Sequence, residues 1–94
     1  MDAERRKAKR EATYQPVWLV VESHGRRTMW DAFLLDSSPY GVRIQLGIPL
    51  IRRQIVDYIP SASLAPPLRC EVKWVGRQVS GFRQEAGLEF LTRN

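Results

Sequence analysis

A period of two in hydrophobicity is the feature of this sequence that most constrains its fold. In residues 42–46 the apolar Val42, Ile44 and Leu46 alternate with polar residues, and residues 69–75 alternate in the same way. Successive side chains of a β-strand point to opposite faces of its sheet, so this alternation is typical of a strand that is buried on one face. Both segments are therefore predicted to be half-buried strands.

Four further segments have the composition of strands, and turn residues separate them. Residues 17–22 and 28–36 are rich in β-branched and aromatic side chains, residues 52–59 alternate weakly, and residues 86–91 form the last apolar run. The intervening segments carry the Gly, Pro and Ser residues that mark turns. Six short strands without a long helix predict an all-β antiparallel barrel or sandwich. We favour a six-stranded antiparallel β-barrel, because closure leaves no unpaired strand edge.

Charge divides the chain into two parts. Its 94 residues suit one domain, and the net charge is +5. We predict that residues 1–13 are a flexible basic arm and that residues 14–94 form the barrel. The basic residues of this arm are Arg5, Arg6, Lys7, Lys9 and Arg10. A run of this kind often meets an anion, and on charge alone nucleic acid, acidic lipid and phosphorylated small molecules all stay open.

The residue types that most enzymes need are scarce. Cys70 is the only cysteine, which excludes an internal disulfide and argues against a thiolate zinc site; its place in an alternating segment predicts a core residue. His24 is the only histidine and lies in a Gly-containing turn, where we expect it to be solvated. The sequence lacks a nucleophile elbow, a phosphate loop and a carboxylate pair with catalytic spacing. We therefore expect a binding protein with no enzymatic activity, no metal and no cofactor.

Hydropathy gives no indication of a membrane segment. The N-terminus is charged and lacks the apolar region of a signal peptide, and no apolar run approaches the roughly 20 residues that a spanning helix needs. The predicted compartment is the cytoplasm.

The basic arm carries residue types that bind nucleotides. Arg6 and Arg10 lie four residues apart, with Arg5 beside them. Arginine presents a planar fork of N–H donors, which binds phosphate or the O6/N7 edge of guanine in a bidentate manner. A generic basic tail is the alternative interpretation.

The hexapeptide of residues 36–41 joins the second and third predicted strands. Asp36 and Ser38 have short polar side chains that bond nearby backbone amides, and Gly41 suits a positive φ or the close approach of a ligand. A well-made turn is one interpretation. A binding site is the other, because a carboxylate here can accept hydrogen bonds from the N1–H and N2–H₂ groups of a guanine.

The two stretches together resemble the PilZ domain, a bacterial receptor for cyclic di-GMP. That family carries R-x-x-x-R in an N-terminal arm and D/N-x-S-x-x-G after its second strand. The matching residues here are Arg6 and Arg10 in the arm, and Asp36, Ser38 and Gly41 in the hexapeptide. The resemblance also covers the start of the first strand and the closing strands, and so nearly the whole chain. It implies a six-stranded antiparallel β-barrel, in agreement with the strand pattern.

The resemblance assigns a role to each of these residues. It implies that Arg6 and Arg10 clamp guanine edges and phosphates, with Arg5 supplying a further contact. It also implies that Asp36 and Ser38 hold a guanine and the adjoining backbone.

The resemblance also implies roles for Gly41 and Trp74. Gly41 would keep the shape of the loop. Some relatives place an aromatic residue at the position of Trp74 against a guanine face. Trp74 also alternates in phase with Cys70 and Val72, which predicts a place in the core, and both interpretations stay open.

The implied function is that of a cyclic di-GMP receptor or adaptor. Ligand binding would fold the arm across the barrel and change a surface that a downstream protein partner reads. The alternative is a small basic β-barrel that binds RNA or single-stranded DNA, as OB-like folds do. That alternative gives no reason for Asp36 to face an anionic strand. A PilZ-like adaptor that has lost its ligand is a third interpretation, and the complete motifs argue against it.

Overall fold

The computed structural model describes residues 15–60, 66–79 and 83–91, and its regular elements are all strands. The predicted basic arm, with Arg5, Arg6 and Arg10, lies outside the described residues. The strands are β1 (Gln15–Ser23), β2 (Arg26–Ser38), β3 (Gly41–Leu46), β4 (Ile55–Pro60), β5 (Leu68–Val79) and β6 (Arg83–Phe90).

The six strands form a closed antiparallel barrel in the order β1-β2-β3-β6-β5-β4. β1 pairs with β2 on one side and with β4 on the other, so that Val17 lies opposite both Ala32 and Pro60. Closure gives every strand two hydrogen-bonded neighbours and removes the exposed edges that short strands would otherwise leave. The predicted six-stranded antiparallel β-barrel is confirmed.

The core lies inside the barrel and follows the predicted alternation. In β3, Val42, Ile44 and Leu46 are buried, whereas Arg43 and Gln45 between them are half-buried and point outward. Each buried side chain gains hydrophobic free energy in proportion to the apolar area that leaves water, about 25 cal/mol per Å². The buried residues among those described are Val17, Leu19, Val21, Ala32, Val42, Ile44, Leu46, Leu50, Val56, Tyr58, Cys70, Val72, Ala86 and Leu88. The predicted burial of Cys70 is therefore confirmed.

The turn between β1 and β2 is a tight hairpin. His24 and Gly25 have φ values of 52° and 77°. Positive φ at both central positions suits the twist of a two-residue hairpin. His24 is exposed there, as the sequence predicts.

β5 departs from the predicted alternation at Trp74. Cys70 and Val72 are fully buried, but Trp74 is 41% exposed. The pairing of β5 with β6 shifts register between Val72 and Trp74, because Lys73 is an extra residue on the β5 side. Such a β-bulge changes the face to which the following residues point. The prediction that Trp74 shares the inward face of Cys70 and Val72 is wrong, and the indole lies on the outer surface of the barrel.

The described part of the chain offers no helix long and apolar enough to cross a membrane.

Candidate functional site

The hexapeptide of residues 36–41 is a strand end and a short turn rather than a long loop. Asp36 and Ser38 lie in the last residues of β2, Gly41 opens β3, and Ser38 pairs with Gly41. The Oγ atom of Ser38 accepts a hydrogen bond from the backbone N–H of Tyr40 at 3.1 Å. The carbonyl of Tyr40 accepts one from the N–H of Phe90 at 2.8 Å. The turn is therefore fixed both internally and to the last strand.

Gly41 is needed for the close approach of β6. A Cβ atom built at this position would overlap the backbone carbonyl oxygen of Leu88. Among the described glycines, positive φ occurs at Gly25 and not at Gly41. Positive φ, one of the two explanations that the sequence offered for Gly41, is therefore wrong. The close approach seen here is that of a strand of the barrel, and the approach of a ligand stays a prediction.

A row of paired residues crosses four strands on the outer surface of the barrel. Asp36 of β2 lies opposite Arg43 of β3, Arg43 lies opposite Gly87 of β6, and Gly87 lies opposite Trp74 of β5. Neighbouring strands are about 4.8 Å apart, so the backbones of Asp36 and Trp74 are roughly 14 Å apart along this row. The pairing thus brings together two candidate residues that are far apart in the sequence.

Gly87 leaves room for the indole in this row. A Cβ atom at position 87 would overlap Nε1 of Trp74. The ring therefore lies across the β6 backbone at a position that only glycine permits. An isolated glycine inside a strand often marks such a close approach.

An open groove with a volume of about 360 Å³ lies along this row. The four ligand-binding residues that the sequence predicted in the barrel, Asp36, Ser38, Gly41 and Trp74, all line it. The other residues that line it are Tyr40, Val42, Arg43, Lys73, Gly87, Leu88 and Glu89. We refer to this surface as the groove.

Charged side chains along the groove are paired with one another. The guanidinium of Arg43 donates to Oδ2 of Asp36 from Nε at 3.2 Å and from Nη2 at 2.9 Å, and to Oε1 of Glu85 from Nη1 at 3.2 Å. The hydrogen bonds to Asp36 raise the pKa of Arg43, and the negative charges of Asp36 and Glu85 add to this effect, while burial opposes it. Lys73 pairs with Glu89 at 3.3 Å. The sequence had suggested that the Asp36 side chain braces the turn. In the structure it binds Arg43 instead.

Seven residues of the groove were not predicted as site residues, and four of them show what kind of signal the sequence carried. Arg43 was predicted to face outward, but its partners come from β2 and β6. Tyr40 is 76% exposed and lies within the turn itself. Gly87 carried a weak signal, as a glycine inside a predicted strand. Lys73 carried none, because its position depends on the bulge.

Two other titratable groups with shifted pKa values lie in the core. Burial raises the pKa of Cys70 to about 12, and the negative charge of Asp57 acts in the same direction. Burial also raises the pKa of Tyr58, with a smaller contribution from Cys70. Burial therefore keeps the thiol protonated at ordinary pH. Across residues 15–60, 66–79 and 83–91, no group of three or more His, Cys, Asp or Glu is placed to hold a metal ion.

Comparisons of the chain with protein-family models, with curated proteins and with solved structures gave no match.

Proposed function

We propose that this chain is a bacterial, cytoplasmic receptor for cyclic di-GMP of the PilZ type, acting as an adaptor rather than as an enzyme. One observation carries the proposal. The barrel brings Asp36, Ser38 and Gly41 of the hexapeptide and Trp74 of a distant strand into one groove. These are the barrel residues that the resemblance in the sequence assigns to the ligand.

The chemistry of the groove suits a guanine base. Trp74 presents an indole ring that is 41% exposed, and a base stacked on an aromatic ring gains about 1–3 kcal/mol. Asp36 offers a half-exposed carboxylate in the same groove, with 54% of its side chain accessible. The volume of about 360 Å³ lies within the range of about 300–1,000 Å³ that small-molecule sites occupy.

The barrel begins close to the groove, which supports a role for the arginines of the basic arm in binding the ligand. Gln15, the first described residue, pairs with Leu34, which lies two residues before Asp36 on the neighbouring strand. These spacings place Gln15 about 8 Å from Asp36 along the sheet. Arg10 is five residues before Gln15, and a chain of that length spans up to about 17 Å. Arg10 can therefore reach the groove, and Arg6 has still more chain available.

We propose that the ligand joins the arm to the barrel. A cyclic dinucleotide has two phosphates and two guanines, and so it can engage Arg6 and Arg10 together with Asp36. Clamping the arm across the groove would change the surface around it, and a downstream protein would read that change. The ligand is then the signal, and the chain needs no cofactor.

Binding of RNA or single-stranded DNA fits the groove less well. Asp36 and Glu89 pair with Arg43 and Lys73, so the charges that line the groove balance and leave no excess of positive charge to follow the phosphates of a strand. A general nucleic-acid surface would instead show a steep dependence of affinity on salt.

A two-dimensional NMR titration of the whole chain tests this proposal. Cyclic di-GMP should shift the amide signals of Ser38, Gly41 and Gly87 and leave Gly25 unchanged, because Gly25 lies at the opposite end of β2. An RNA oligomer at the same salt concentration serves as the comparison. Shifts with RNA at these positions and none with cyclic di-GMP would overturn the proposal.

A further inference from the structure

The ion pair between Asp36 and Arg43 has unused hydrogen-bonding capacity on both partners. An arginine carries five N–H donors. Three of them bind Asp36 and Glu85, which leaves one on Nη1 and one on Nη2. Both contacts to Asp36 are made at Oδ2, and within the described residues Oδ1 accepts no hydrogen bond. Both members of the ion pair therefore keep hydrogen-bonding capacity that a ligand could use.

The ion pair between Asp36 and Arg43 has a fixed orientation and is partly exposed to solvent. Glu85 holds Nη1 while Asp36 holds the other side of the guanidinium, so the plane of Arg43 is fixed from two directions. The side chains of Arg43 and Asp36 are 39% and 54% exposed, and both line the groove. In the row across the strands, Gly87 lies between Arg43 and Trp74 and the indole of Trp74 lies over it, so Trp74 is the next side chain in the row after Arg43.

The order of donor and acceptor matches one purine. Guanine presents the acceptor O6 next to the donors N1–H and N2–H₂, so O6 faces a guanidinium when N1–H and N2–H₂ face a carboxylate. Adenine presents the reverse order, a donor N6–H₂ next to the acceptor N1. Against the same pair, adenine would place donor against donor and acceptor against acceptor, so that the polar groups covered by the base would stay unpaired.

We propose that Arg43 is a specificity-determining residue, which donates to O6 of a guanine whose N1–H and N2–H₂ groups bind Asp36. The inference rests on the proposed function and adds to it the residue that selects guanine over adenine. Arg43 then does more than hold the Asp36 carboxylate in place, because its free N–H group contacts the base.

Replacing O6 of the guanine by sulfur distinguishes two roles of Arg43. In one role Arg43 contacts the base directly, and in the other it only positions Asp36. The 6-thioguanine form of cyclic di-GMP keeps N1–H and N2–H₂ but has a much weaker acceptor at position 6. If Arg43 donates to O6, the wild-type chain should bind the thio form about tenfold or more weakly than cyclic di-GMP. Arg43→Met should bind both forms weakly and with nearly equal affinity. If Arg43 only positions Asp36, the ratio of the two affinities stays the same in both proteins.

Two further variants serve as controls for the loss of a positive charge and for misfolding. Arg27→Met removes another exposed arginine, which pairs with Asp57 on the barrel surface at 3.1 Å, and should leave both affinities unchanged. Arg43→Lys keeps a charged donor, so it should recover part of the preference for cyclic di-GMP over the 6-thio form. If circular dichroism shows that Arg43→Met does not fold, Arg43→Lys is used in its place. An unchanged oxygen-to-sulfur ratio in the Arg43 variants overturns the inference alone. Absence of cyclic di-GMP binding to the wild-type chain overturns the proposed function and this inference with it.

Discussion

The indole of Trp74 lies over Gly87 of the neighbouring strand and occupies the space that a side chain at position 87 would need. The bulge at Lys73 turns Trp74 outward, and the missing side chain at Gly87 lets the ring lie against the sheet. An exposed tryptophan is thereby held in a defined position on a rigid surface. This arrangement is suited to stacking on a flat ligand.

Gly87→Ala should displace the indole. The added methyl group overlaps the ring, so we expect the free energy of unfolding to fall by about 1–3 kcal/mol, as is typical of overpacking. Urea unfolding measures this change. Gly47→Ala is the matched control, because a Cβ atom there meets nothing within 4 Å. Equal stability of the two variants would contradict the proposed overlap.

Gly41→Ala should be more damaging than Gly87→Ala. The atom that its methyl group meets is the backbone carbonyl oxygen of Leu88, which cannot move without disturbing the pairing of β3 with β6. We expect a loss of more than about 2 kcal/mol in unfolding free energy. The measurement is again urea unfolding, and a loss smaller than that of Gly87→Ala would show that the two strands separate easily.

Trp74→Ala should weaken cyclic di-GMP binding by about 1–3 kcal/mol, the value of one stacked base. Titration calorimetry gives the affinity. Trp18→Ala is a close control, because Trp18 has the same exposed fraction of 41% but lies on β1 outside the groove. If both variants lose the same affinity, Trp74 has no specific role.

Cys70 should make stability depend on alkaline pH. Burial raises the pKa of Cys70 from 9.0 to about 12 in the folded protein, so the folded state keeps a proton that the unfolded state loses. A raised folded-state pKa contributes stability that is complete below the unfolded pKa and is lost as pH rises towards the folded one. Between pH 9 and about 12, the Cys70 contribution to the free energy of unfolding should fall by about 1.4 kcal/mol per pH unit.

Cys70→Ala isolates this effect from the titration of other groups. Urea unfolding of the wild-type chain and the variant at about pH 8 and about pH 10 should show that the wild type loses more stability. A constant difference between the two proteins at both pH values would mean that the thiol ionises as readily in the folded state.

The strands could be predicted because each has a local signal. Val42, Ile44 and Leu46 alternate, and the structure places all three in the core. The alternation alone pointed Trp74 inward, and the structure has it 41% exposed, because a β-bulge depends on the pairing of two strands, which a pattern within one strand does not contain. The β2–β3 turn was predicted too long for a related reason: Asp36 is polar, but it lies in a strand and pairs with Arg43.

Apart from Trp74, which the family resemblance indicated, the groove was predictable only where a short motif marks it. Asp36, Ser38 and Gly41 lie within six consecutive residues, so one stretch of sequence reveals them. Arg43 and Gly87 acquire their positions from the order β2-β3-β6, in which β6 comes from the far end of the chain. No local pattern gives that order.

The arm should supply most of the affinity without contributing to the barrel. We expect Arg6→Ala and Arg10→Ala to lose most binding of cyclic di-GMP, since each bidentate contact of an arginine to guanine contributes about 1–3 kcal/mol of discrimination. Their unfolding transitions should match that of the wild-type chain. Lys7→Ala is a control within the same basic run, and an equal loss there would indicate general charge attraction.

Calorimetric titration of the wild-type chain with cyclic di-GMP, with GTP as the comparison ligand, tests the central claim most directly. We predict saturable heat with cyclic di-GMP that is abolished by Asp36→Ala in a folded variant, and little or none with GTP. A folded wild-type chain that gives no heat with excess cyclic di-GMP, and no shift of the Ser38 and Gly41 amide signals in the same mixture, would contradict the claim.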